Sequence, residues 1–542
     1  MSDPTRPDED KEQEYPFGMN RRQAMKYLGG GLAAGAGVFT AGCSGGSGGG
    51  PSGDDSTSNS GEDNTSSLAN PLNSDRFADT RDLSWICDAS SGPHFRIWEE
   101  KLNEEAGLSF TDGVLYEQGN TNERIQSAFT QQGKVPWDLV QVSPIYIGSY
   151  GVRDVLEPLD DYIAKYDRTK SWDDGILDPF REFYTKWDGK TLGIPIDGDL
   201  LELHYRPSYF EDEEHQRRYR EQTGQELRVP KTWKEFNQVA QYFEENAEGV
   251  HGTMLYGNRP FTFGYFMSRA ASNGVLYFDE DMNPDINSDS AIEALQDMVE
   301  CVDYSPAGTE QFGIPETINQ WQQGNVVMCQ WWLDLPEFTA RGDYPVVGDQ
   351  ASAKLPGYET ESGDIRHRAC MASGRLWGIP KDKNQDIKEA AFYAAMRESH
   401  QDLSIYGIAD PYLGNDPYMD QHYTEKAAKQ FTKPNPLRPD SGPGFDSNPA
   451  VWDNLENAKQ HLEAAQANMS IGFPQPYWPG ARSYIEPLAL NVQRALAGQK
   501  SPTKALNDTA DEWEKTLDRL GRDQQTKYYQ DFLNSAEKLG YL

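Results

Sequence analysis

Asp197 and Asp199 stand one residue apart and could serve either of two kinds of chemistry. Two carboxyl groups held about 5 to 10 Å apart across a glycosidic bond can hydrolyse it by general acid and base catalysis. In a binding site the same groups accept hydrogen bonds from sugar hydroxyls, and no reaction follows. No hydrolase signature accompanies the pair, and in so acidic a chain both could also be solvated loop residues. The pair is therefore a candidate binding site for a polyhydroxy ligand, and a secreted carbohydrate-active enzyme is the alternative.

Aromatic side chains in the second half of the chain offer flat surfaces for the apolar C–H faces of sugar rings. Trp331 and Trp332 end a predicted strand, so their rings point to opposite faces if the strand continues, and one is expected to face ligand. Tyr477 and Trp478 lie on a late, proline-flanked loop, with Arg482 beyond. An aromatic residue of an α/β protein is more often part of the core than a ligand platform, and that alternative stays open for each of them.

Alternating strands and helices run from residue 83 onward. The pattern predicts strands at 83–88, 114–117 and 138–143 and helices at 93–106 and 122–132. Strands separated by helices of this length indicate an α/β fold with largely parallel pairing, in which ligands bind beyond the carboxyl ends of the strands. Asp88, Ser90 and Ser91 follow the first strand. Ser143 follows the third, so all four are candidate ligand-binding residues.

The middle and the end of the chain continue this alternation. Helices are predicted at 233–246, 290–304, 387–399 and 501–519, and a buried strand at 326–331. Thr232 is predicted to cap the first of these helices, with Glu235 completing a capping box. A chain of 542 residues with these elements is expected to form two or more core-forming units.

Acidic residues outnumber basic ones by 86 to 50, which gives a net charge of −36. Acid excess on this scale repels nucleic acid and anionic lipid headgroups, so neither is expected as a partner. Aromatic residues make up 12% of the chain, which argues for a folded protein rather than a disordered one. The composition is typical of the dense carboxylate surface that salt-adapted organisms use to keep proteins soluble in brine.

The first 42 residues have the pattern of an export signal. Arg21 and Arg22 precede a short, glycine-rich apolar stretch, 27–41, which resembles a twin-arginine (Tat) signal for proteins exported in the folded state. Small residues lead into Cys43 in an arrangement that resembles a lipobox, where this cysteine would be lipidated; a simple cleaved signal is the alternative. Residues 43–80 then form a tether rich in Gly, Ser and Asp. No later segment approaches about 18 consecutive apolar residues, so the protein is predicted to be lipid-anchored at the outer face of the cell membrane without crossing it.

Four further cysteines lie in apolar stretches without a C-x-x-C motif: Cys87, Cys301, Cys329 and Cys370. Buried thiols and a disulfide are both possible for them, and the sequence leaves the two open. No cofactor and no metal is expected. The segment that begins at Asp279 imitates the start of a calcium loop, but Pro284 occupies the place of the required glycine.

Short segments along the chain carry a further pattern, in order and with plausible spacing. They are Trp137-Asp-Leu-Val with Val155-Leu-Glu-Pro-Leu-Asp-Asp-Tyr162, Asp188-Gly-Lys-Thr-Leu-Gly-Ile-Pro195, Leu200-Leu-Glu-Leu-His-Tyr205, Val229-Pro-Lys-Thr-Trp-Lys-Glu-Phe236, Gln323-Gly-Asn-Val-Val-Met328 and Trp377-Gly-Ile-Pro-Lys381. Together they resemble the motifs of extracellular solute-binding proteins of the maltose-binding type, family 1, and the chain resembles the sugar-binding lipoproteins of halophilic archaea. The resemblance covers nearly all of 83–542. Arg206 replaces the family's usual Asn, and Trp331-Trp332 replaces a small polar run.

The resemblance implies an α/β fold of the two-lobe, periplasmic-binding-protein-like (type II) class, a clamshell whose discontinuous lobes are joined by hinge crossings. Carried over from the family, lobe one covers 83–201 and 355–408, and lobe two covers 202–354 and 409–542. The ligand then sits in the cleft, and the lobes close on it by hinge bending. In the family pattern Asp199 aligns with an acidic ligand contact, and Phe261 matches a stacking aromatic residue.

The function implied by the resemblance is that of the extracellular substrate-binding component of an ABC importer, not an enzyme. A monomer would capture a sugar or oligosaccharide and deliver it to a membrane permease with its ATPase subunits. The chain has no phosphate-binding P-loop motif, so ATP hydrolysis would belong to those subunits. A surface sensor or adhesion protein with the same clamshell is a further alternative.

Overall fold

The computed structural model describes residues 75–89, 94–111, 113–116, 118–131, 134–438 and 447–542. The predicted signal, the lipidation site Cys43, most of the tether and the candidate residues Ser90 and Ser91 lie outside these ranges. Within them, helices and strands alternate as the hydrophobic patterning predicts, and their apolar faces form one connected core.

The strands of the described residues are short, and several are buried along their whole length. They are β1 (Trp85–Asp88), β2 (Val114–Tyr116), β3 (Leu139–Val142), β4 (Lys186–Trp187), β5 (Lys190–Thr191), β6 (Ile194–Asp197), β7 (Leu201–Tyr205), β8 (Met328–Trp332), β9 (Ala351–Ala353), β10 (Gly357–Glu359), β11 (Ile365–His367), β12 (Ala369–Met371), β13 (Arg375–Gly378) and β14 (Gly472–Pro474).

The helices of the described residues connect the strands and form most of the C-terminal part. They are α1 (His94–Ala106), α2 (Gln118–Thr130), α3 (Ile147–Arg153), α4 (Asp160–Tyr166), α5 (Asp178–Phe183), α6 (Pro207–Glu211), α7 (Glu213–Thr223), α8 (Trp233–Asn246), α9 (Thr262–Ser272), α10 (Asp289–Glu300), α11 (Ile314–Gln322), α12 (Leu335–Thr339), α13 (Gln385–Glu398), α14 (Ser404–Ile408), α15 (Glu425–Phe431), α16 (Leu455–Met469), α17 (Arg482–Leu496), α18 (Pro502–Leu520) and α19 (Arg522–Lys538).

One sheet has five strands in the order β2-β1-β3-β13-β6. β1 pairs in parallel with β2 and β3 through the connecting helices α1 and α2, as the sequence predicts. β13 lies antiparallel between β3 and β6, because it enters the sheet from a distant part of the chain and not through a helical crossover. Its first residue, Arg375, pairs with Asp197 at the last position of β6. Arg375 therefore lies at the edge where β3 and β6 end.

A second sheet has the order β8-β7-β9, and both of its pairings are antiparallel. Parallel pairing, which the sequence predicts for most of the protein, is confined among the described strands to β2-β1-β3 and to the pair of β12 and β14. Leu201 of β7 pairs with Trp332 of β8. The two candidate tryptophans therefore lie where the chain has just passed, through residues 198–200, from the first sheet into the second.

The chain returns to the five-stranded sheet through β13, after three short strands. β10 and β11 form a hairpin, and β12 pairs with β14 near the end of the chain. All three strands contact helix α9, which lies between the two passages in sequence. The chain therefore re-enters the first sheet at Arg375 of β13, whereas lobe one is expected from the family pattern to resume at 355.

Helix α8 shows how the local sequence sets the start of an element. The Thr232 side chain accepts a hydrogen bond from the Glu235 backbone N–H at 3.1 Å, as the predicted N-cap requires. The Glu235 carboxylate accepts from the Lys231 backbone N–H at 2.8 Å, one residue earlier than in a capping box. The helix spans Trp233–Asn246, the range that its apolar spacing predicts.

The cysteines of the described residues are buried thiols: Cys87, Cys301, Cys329 and Cys370. No disulfide joins them within the part of the chain that the structure describes. In the same part of the chain, no helix is both long and apolar enough to cross a membrane.

Candidate functional site

Residues from several parts of the chain meet where it passes between the two sheets, around a cavity of about 30 Å³ that we call the cleft cavity. The cavity is lined by Asp199, Phe261, Ile314, Trp331, Trp332, Asp334, Phe338, Ser373 and Arg375. Four residues that the sequence marks as candidate ligand contacts, one acidic and three aromatic, are therefore brought together here. The remaining lining residues carry no such mark.

Arg375 joins two buried aspartates at the floor of the cleft cavity. Its Nε donates to Asp88 Oδ2 at 3.1 Å, and its Nη1 donates to a carboxylate oxygen of Asp197 and to the Gly414 carbonyl, the latter at 2.8 Å. Gln141 holds Asp88 in turn, donating from its amide to the carboxylate and accepting the Asp88 backbone N–H at 2.9 Å. Asp88 and Asp197 are 0% exposed. The structure thus places these two candidate residues beneath the cavity, where they orient the guanidinium group.

Asp199 lies in the passage from β6 to β7 and lines the cavity. Its Oδ2 accepts a hydrogen bond from the Gly374 backbone N–H at 2.6 Å. Gly374 has φ of +90°, and a Cβ atom there would stand 2.3 Å from the Tyr184 ring, so this close approach requires glycine. Burial raises the pKa of Asp199, and the charge of Arg375 opposes that rise.

Trp331, Trp332 and Phe261 form an aromatic wall of the cavity. The indole rings of the two tryptophans lie 5.1 Å apart at 87°, and Phe261 stands edge-on to Trp332 at 5.2 Å. Trp331 donates its indole N–H to Asp334 Oδ1 at 3.2 Å, and Trp332 donates to the Ala372 carbonyl at 2.7 Å. Both rings line the cavity, although strand alternation predicts one, because β8 ends at Trp332 and the chain turns there.

Several carboxyl groups near the cavity have raised pKa values. Burial, followed by the negative charge of Asp199, raises the pKa of Asp334 to about 7. Burial and the negative charge of Asp199 raise the pKa of Asp197 well above its usual range, although the positive charge of Arg375 opposes this rise. Burial and the charge of Asp334 also raise the pKa of Asp416, which follows α14. The floor of the cavity therefore favours any partner that brings positive charge or a proton.

The candidate residues Ser143 and Tyr477 do not line the cleft cavity. Ser143 is 4% exposed and follows β3 directly, before a short 3-10 turn. Tyr477 lines a different cavity of about 550 Å³, together with Trp187 and Tyr528. That second cavity lies between the β4-β5 hairpin and α19 and has charged residues around its rim.

The candidate residue Trp478 lies in the aromatic core of the C-terminal helices. It is 1% exposed, and its ring lies within 6.2 Å of the rings of Tyr484, Tyr529 and Phe532. Packing of this kind places Trp478 among core residues rather than at the cleft cavity.

The last candidate residue, Arg482, begins α17. It donates to the Glu486 carboxylate and, at 3.5 Å, to the Tyr146 hydroxyl. Tyr146 follows β3 of the five-stranded sheet, so Arg482 connects that side of the molecule with the C-terminal helices.

Five of the lining residues were not predicted from the sequence: Ile314, Asp334, Phe338, Ser373 and Arg375. Arg375 is the first residue of β13, so a rule that looks beyond the carboxyl ends of parallel strands passes over it. Asp334 follows β8 by two residues, so a search beyond the carboxyl end of every strand, antiparallel strands included, would have found it. Ile314 and Phe338 carry no signal, because single apolar residues are ordinary core candidates.

A family model described as "Bacterial extracellular solute-binding protein" matches residues 111–395 of the chain. The match covers more than half of the 542 residues, so the chain belongs to this family, as its sequence motifs predict. Members of the family bind substrates outside the cytoplasm and are not enzymes. The enzymatic alternative for Asp197 and Asp199 is therefore set aside.

Solved structures of low sequence identity share the fold. The maltose-bound MalE3 protein of T. maritima matches with a TM-score of 0.63 and 18% identity, over 80% of this chain and 100% of that chain. An ABC transporter solute-binding protein from Agrobacterium radiobacter K84, in complex with ribitol, matches with a TM-score of 0.60 and 17% identity, over 80% and 98%. UgpB from Mycobacterium tuberculosis, in complex with glycerophosphocholine, matches with a TM-score of 0.60 and 13% identity, over 81% and 99%. The two-lobe, periplasmic-binding-protein-like α/β fold is thereby confirmed.

Proposed function

We propose that this protein is the substrate-binding component of an ABC importer, which captures a sugar, an oligosaccharide or a related polyol in the cleft cavity. It then delivers the ligand to a membrane permease and its ATPase subunits. The observation that carries the proposal is the placement of one carboxylate and three aromatic rings, those of Asp199, Phe261, Trp331 and Trp332, around a single cavity between the two sheets.

The chemistry of this cavity suits a polyhydroxy ligand. Aromatic faces pack against the C–H surface of a sugar ring, and the Asp199 carboxylate accepts hydrogen bonds from hydroxyl groups. Arg375 is held in place by Asp88 and Asp197 before any ligand arrives, so little ordering is needed when it donates a hydrogen bond. Maltose and ribitol, which the relatives named above bind, are ligands of this chemical type.

Ligand entry requires the two sheets to move apart. A cavity of about 30 Å³ is far smaller than the about 300–1,000 Å³ of small-molecule sites. The chain passes between the sheets at 198–200 and 372–374, and bending at these short passages opens the cleft while both cores stay intact. We therefore assign the described arrangement to the closed form.

The proposal includes the division into lobes. Lobe one comprises 83–201, and lobe two comprises 202–354 and 409–542. We assign residues 355–371 to lobe two instead of lobe one. This is supported by β10, β11 and β12, which contact helix α9 of lobe two, and by the pairing of β12 with β14. Lobe one then resumes at about 372 and extends to 408.

The proposal also includes export by the Tat route and a lipid anchor, for a monomer adapted to salt. Its support is the twin arginine at 21–22, the small residues before Cys43 and the net charge of −36. We expect Cys43→Ser to release the protein into the medium, as measured by fractionation of cells, membranes and medium. Arg21→Lys combined with Arg22→Lys should instead keep the protein inside the cell. A Cys43→Ser variant that stays as firmly bound as the parent contradicts the lipid anchor.

The proposed ligand class is tested by a thermal-shift screen of maltose, longer oligosaccharides, ribitol and mannitol in molar sodium chloride. A ligand that binds only the native state raises the melting temperature. Small-angle X-ray scattering should then show a smaller radius of gyration with that ligand, and mass spectrometry should recover the ligand intact.

Three outcomes separate this proposal from its alternatives. A ligand that is consumed restores the carbohydrate-active enzyme. Binding without compaction contradicts hinge closure. The third outcome is binding with compaction of the purified protein, while cells that lack the protein take up the ligand as before. It favours the surface sensor or adhesion protein.

A further inference from the structure

Carboxyl groups at the floor of the cleft outnumber the positive charges that face them. The carboxyl groups are those of Asp88, Asp197, Asp199, Asp334, Glu337 and Asp416, and the charges of opposite sign are those of Arg341 and Arg375. All six carboxyl groups are buried. Among the described residues of this cluster, six carboxylates face two guanidinium groups, an excess of four negative charges if every group is ionised. Buried charge of one sign is unfavourable unless a counter-ion or protons neutralise it.

Three of these carboxylates converge on one point. Asp197, Asp199 and Asp416 each place an oxygen within 4.8 Å of the other two. Ca²⁺ binds oxygen ligands at about 2.3–2.6 Å, so ligand oxygens on opposite sides of the ion are about 4.6–5.2 Å apart. The three carboxylates can therefore contact one ion of this size from their present positions.

Asp416 supplies a second, independent observation. It is 1% exposed, and its Oδ1 has no hydrogen-bond partner among the described residues. Its Oδ2 accepts from the backbone N–H groups of Leu200 and Leu333 at 3.4 and 3.3 Å. A buried carboxylate oxygen without a donor is strongly unfavourable, and a cation bound by the Asp416 carboxylate would compensate for the missing donor.

We propose that Asp197, Asp199 and Asp416 bind a divalent cation of the calcium type. The ion joins two segments that are distant in sequence: the end of β6 with the passage after it, and the segment that follows α14. These segments already touch, because the Gly198 backbone N–H donates to the Asp416 carbonyl at 3.0 Å. An ion bound by all three carboxylates would link these two segments where the chain crosses between the sheets.

From the sequence no metal is expected, and the loop that begins at Asp279 only imitates the start of a calcium loop. In the structure the Asp279 carboxylate accepts hydrogen bonds from the backbone N–H groups of Asp281 and Asn283 and from the Asn283 amide, at 2.8–3.0 Å. Its oxygens are satisfied within the loop and require no ion. The loop therefore provides a matched control for the proposed site.

The test is a calcium titration of the full chain after chelation, by isothermal calorimetry at constant ionic strength. We expect one saturable site per chain. Asp416→Asn keeps an acceptor for Leu200 and Leu333 but removes the charge, and should weaken calcium binding by roughly 10- to 100-fold or more. The control variant Asp279→Asn should bind calcium as the wild type does.

Terbium, a luminescent substitute for calcium, gives a second readout. Because Asp199 shares its cavity with Trp331 and Trp332, excitation of tryptophan should sensitise terbium emission in the wild type and not in Asp416→Asn. If Asp416→Asn does not fold, Asp199→Asn is titrated in the same way and should show the same loss.

Two results would overturn the proposal. One is equal calcium affinity in the wild type and in the folded Asp-to-Asn variant of the site. The other is the lack of any saturable calcium effect beyond what sodium chloride produces at the same ionic strength, because diffuse screening of an acidic surface then accounts for the data.

Discussion

At the residue scale, Arg375 shows how the cleft cavity depends on side chains that do not line it. Asp88 accepts a hydrogen bond from Nε of the Arg375 guanidinium group, and Asp197 accepts one from Nη1. The Gln141 amide donates to Asp88 in turn. The sequence places both aspartates at strand ends and therefore marks them as ligand contacts. Both carboxylates instead bind Arg375 of β13, which lies nearly 180 residues after Asp197 in the chain. No local sequence pattern contains that information.

The pH dependence of folding stability tests whether the His422 ring is buried in its neutral form. Its Nδ1 accepts the Tyr418 backbone N–H at 3.1 Å, and its Nε2 lies 2.9 Å from Ser404 Oγ, so the folded state requires the neutral ring. Burial lowers the pKa of His422 to about 3, against about 6.5 in an unfolded chain. The stability that depends on the neutral ring is complete above pH about 6.5. It is lost as the pH falls towards about 3, because the unfolded state takes up the proton first.

We expect His422→Asn to remove this pH dependence. The difference in unfolding free energy between wild type and variant should shrink by about 2 kcal/mol between pH 7 and pH 5, at about 1.4 kcal/mol for each pH unit below 6.5. Urea unfolding at pH 8, 7 and 5 measures it, and the values at pH 8 and 7 serve as the control because they should agree. A difference that stays constant down to pH 5 contradicts the neutral, buried ring.

At the scale of elements, local signals predicted the helices better than the sheets. α18 spans Pro502–Leu520 behind the N-cap Ser501, against a predicted 501–519, because caps and apolar periodicity act within a few residues. The antiparallel entry of β13 and the pairing of β12 with β14 were not predicted. These contacts join segments about 100 to 230 residues apart, and a strand's own sequence does not name its neighbour.

The same limit explains the outcome for the aromatic candidates. Phe261, Trp331 and Trp332 line the cleft cavity, whereas Tyr477 and Trp478 lie elsewhere. All are large apolar residues at the ends of elements or in loops. Only the packing of α17 and α19 against the late loop decides that Trp478 faces a core.

A pair of substitutions separates these two environments. We expect Trp478→Ala to lower the free energy of unfolding by about 3–5 kcal/mol, because it opens a cavity in a dense aromatic core. Ligand affinity of the folded variant should stay close to that of the wild type. Phe261→Ala, at a half-buried position, should weaken ligand binding by about 1–3 kcal/mol with a smaller loss of stability. Denaturant unfolding and calorimetry measure the two effects; a Trp478→Ala variant that is stable but binds poorly would place Trp478 in the site.

At the scale of the whole molecule, the net charge of −36 sets the response to salt. Like charges repel within the compact state, and the repulsion weakens as the Debye length falls from about 30 Å at 0.01 M to about 3 Å at 1 M salt. We expect the melting temperature to rise substantially from 10 mM to 1 M sodium chloride, measured by calorimetry at pH 7. Potassium chloride at equal concentration should give nearly the same rise. A flat profile contradicts the interpretation of the acidic surface as an adaptation to salt.

The burial of the four described cysteines has a practical consequence for optical measurement. Each is 0% exposed, and a thiol shielded from solvent reacts slowly with maleimide dyes. Cysteines introduced at the exposed positions Val152 and Val347, which are 57% and 49% accessible, would take up a donor and an acceptor dye selectively in a form that lacks Cys43. Val152 lies in the last turn of the helix that follows β3, and Val347 precedes β9, so the two dyes would be attached to different lobes of the proposed clamshell. Energy transfer between them would then report each opening and closing of a single molecule.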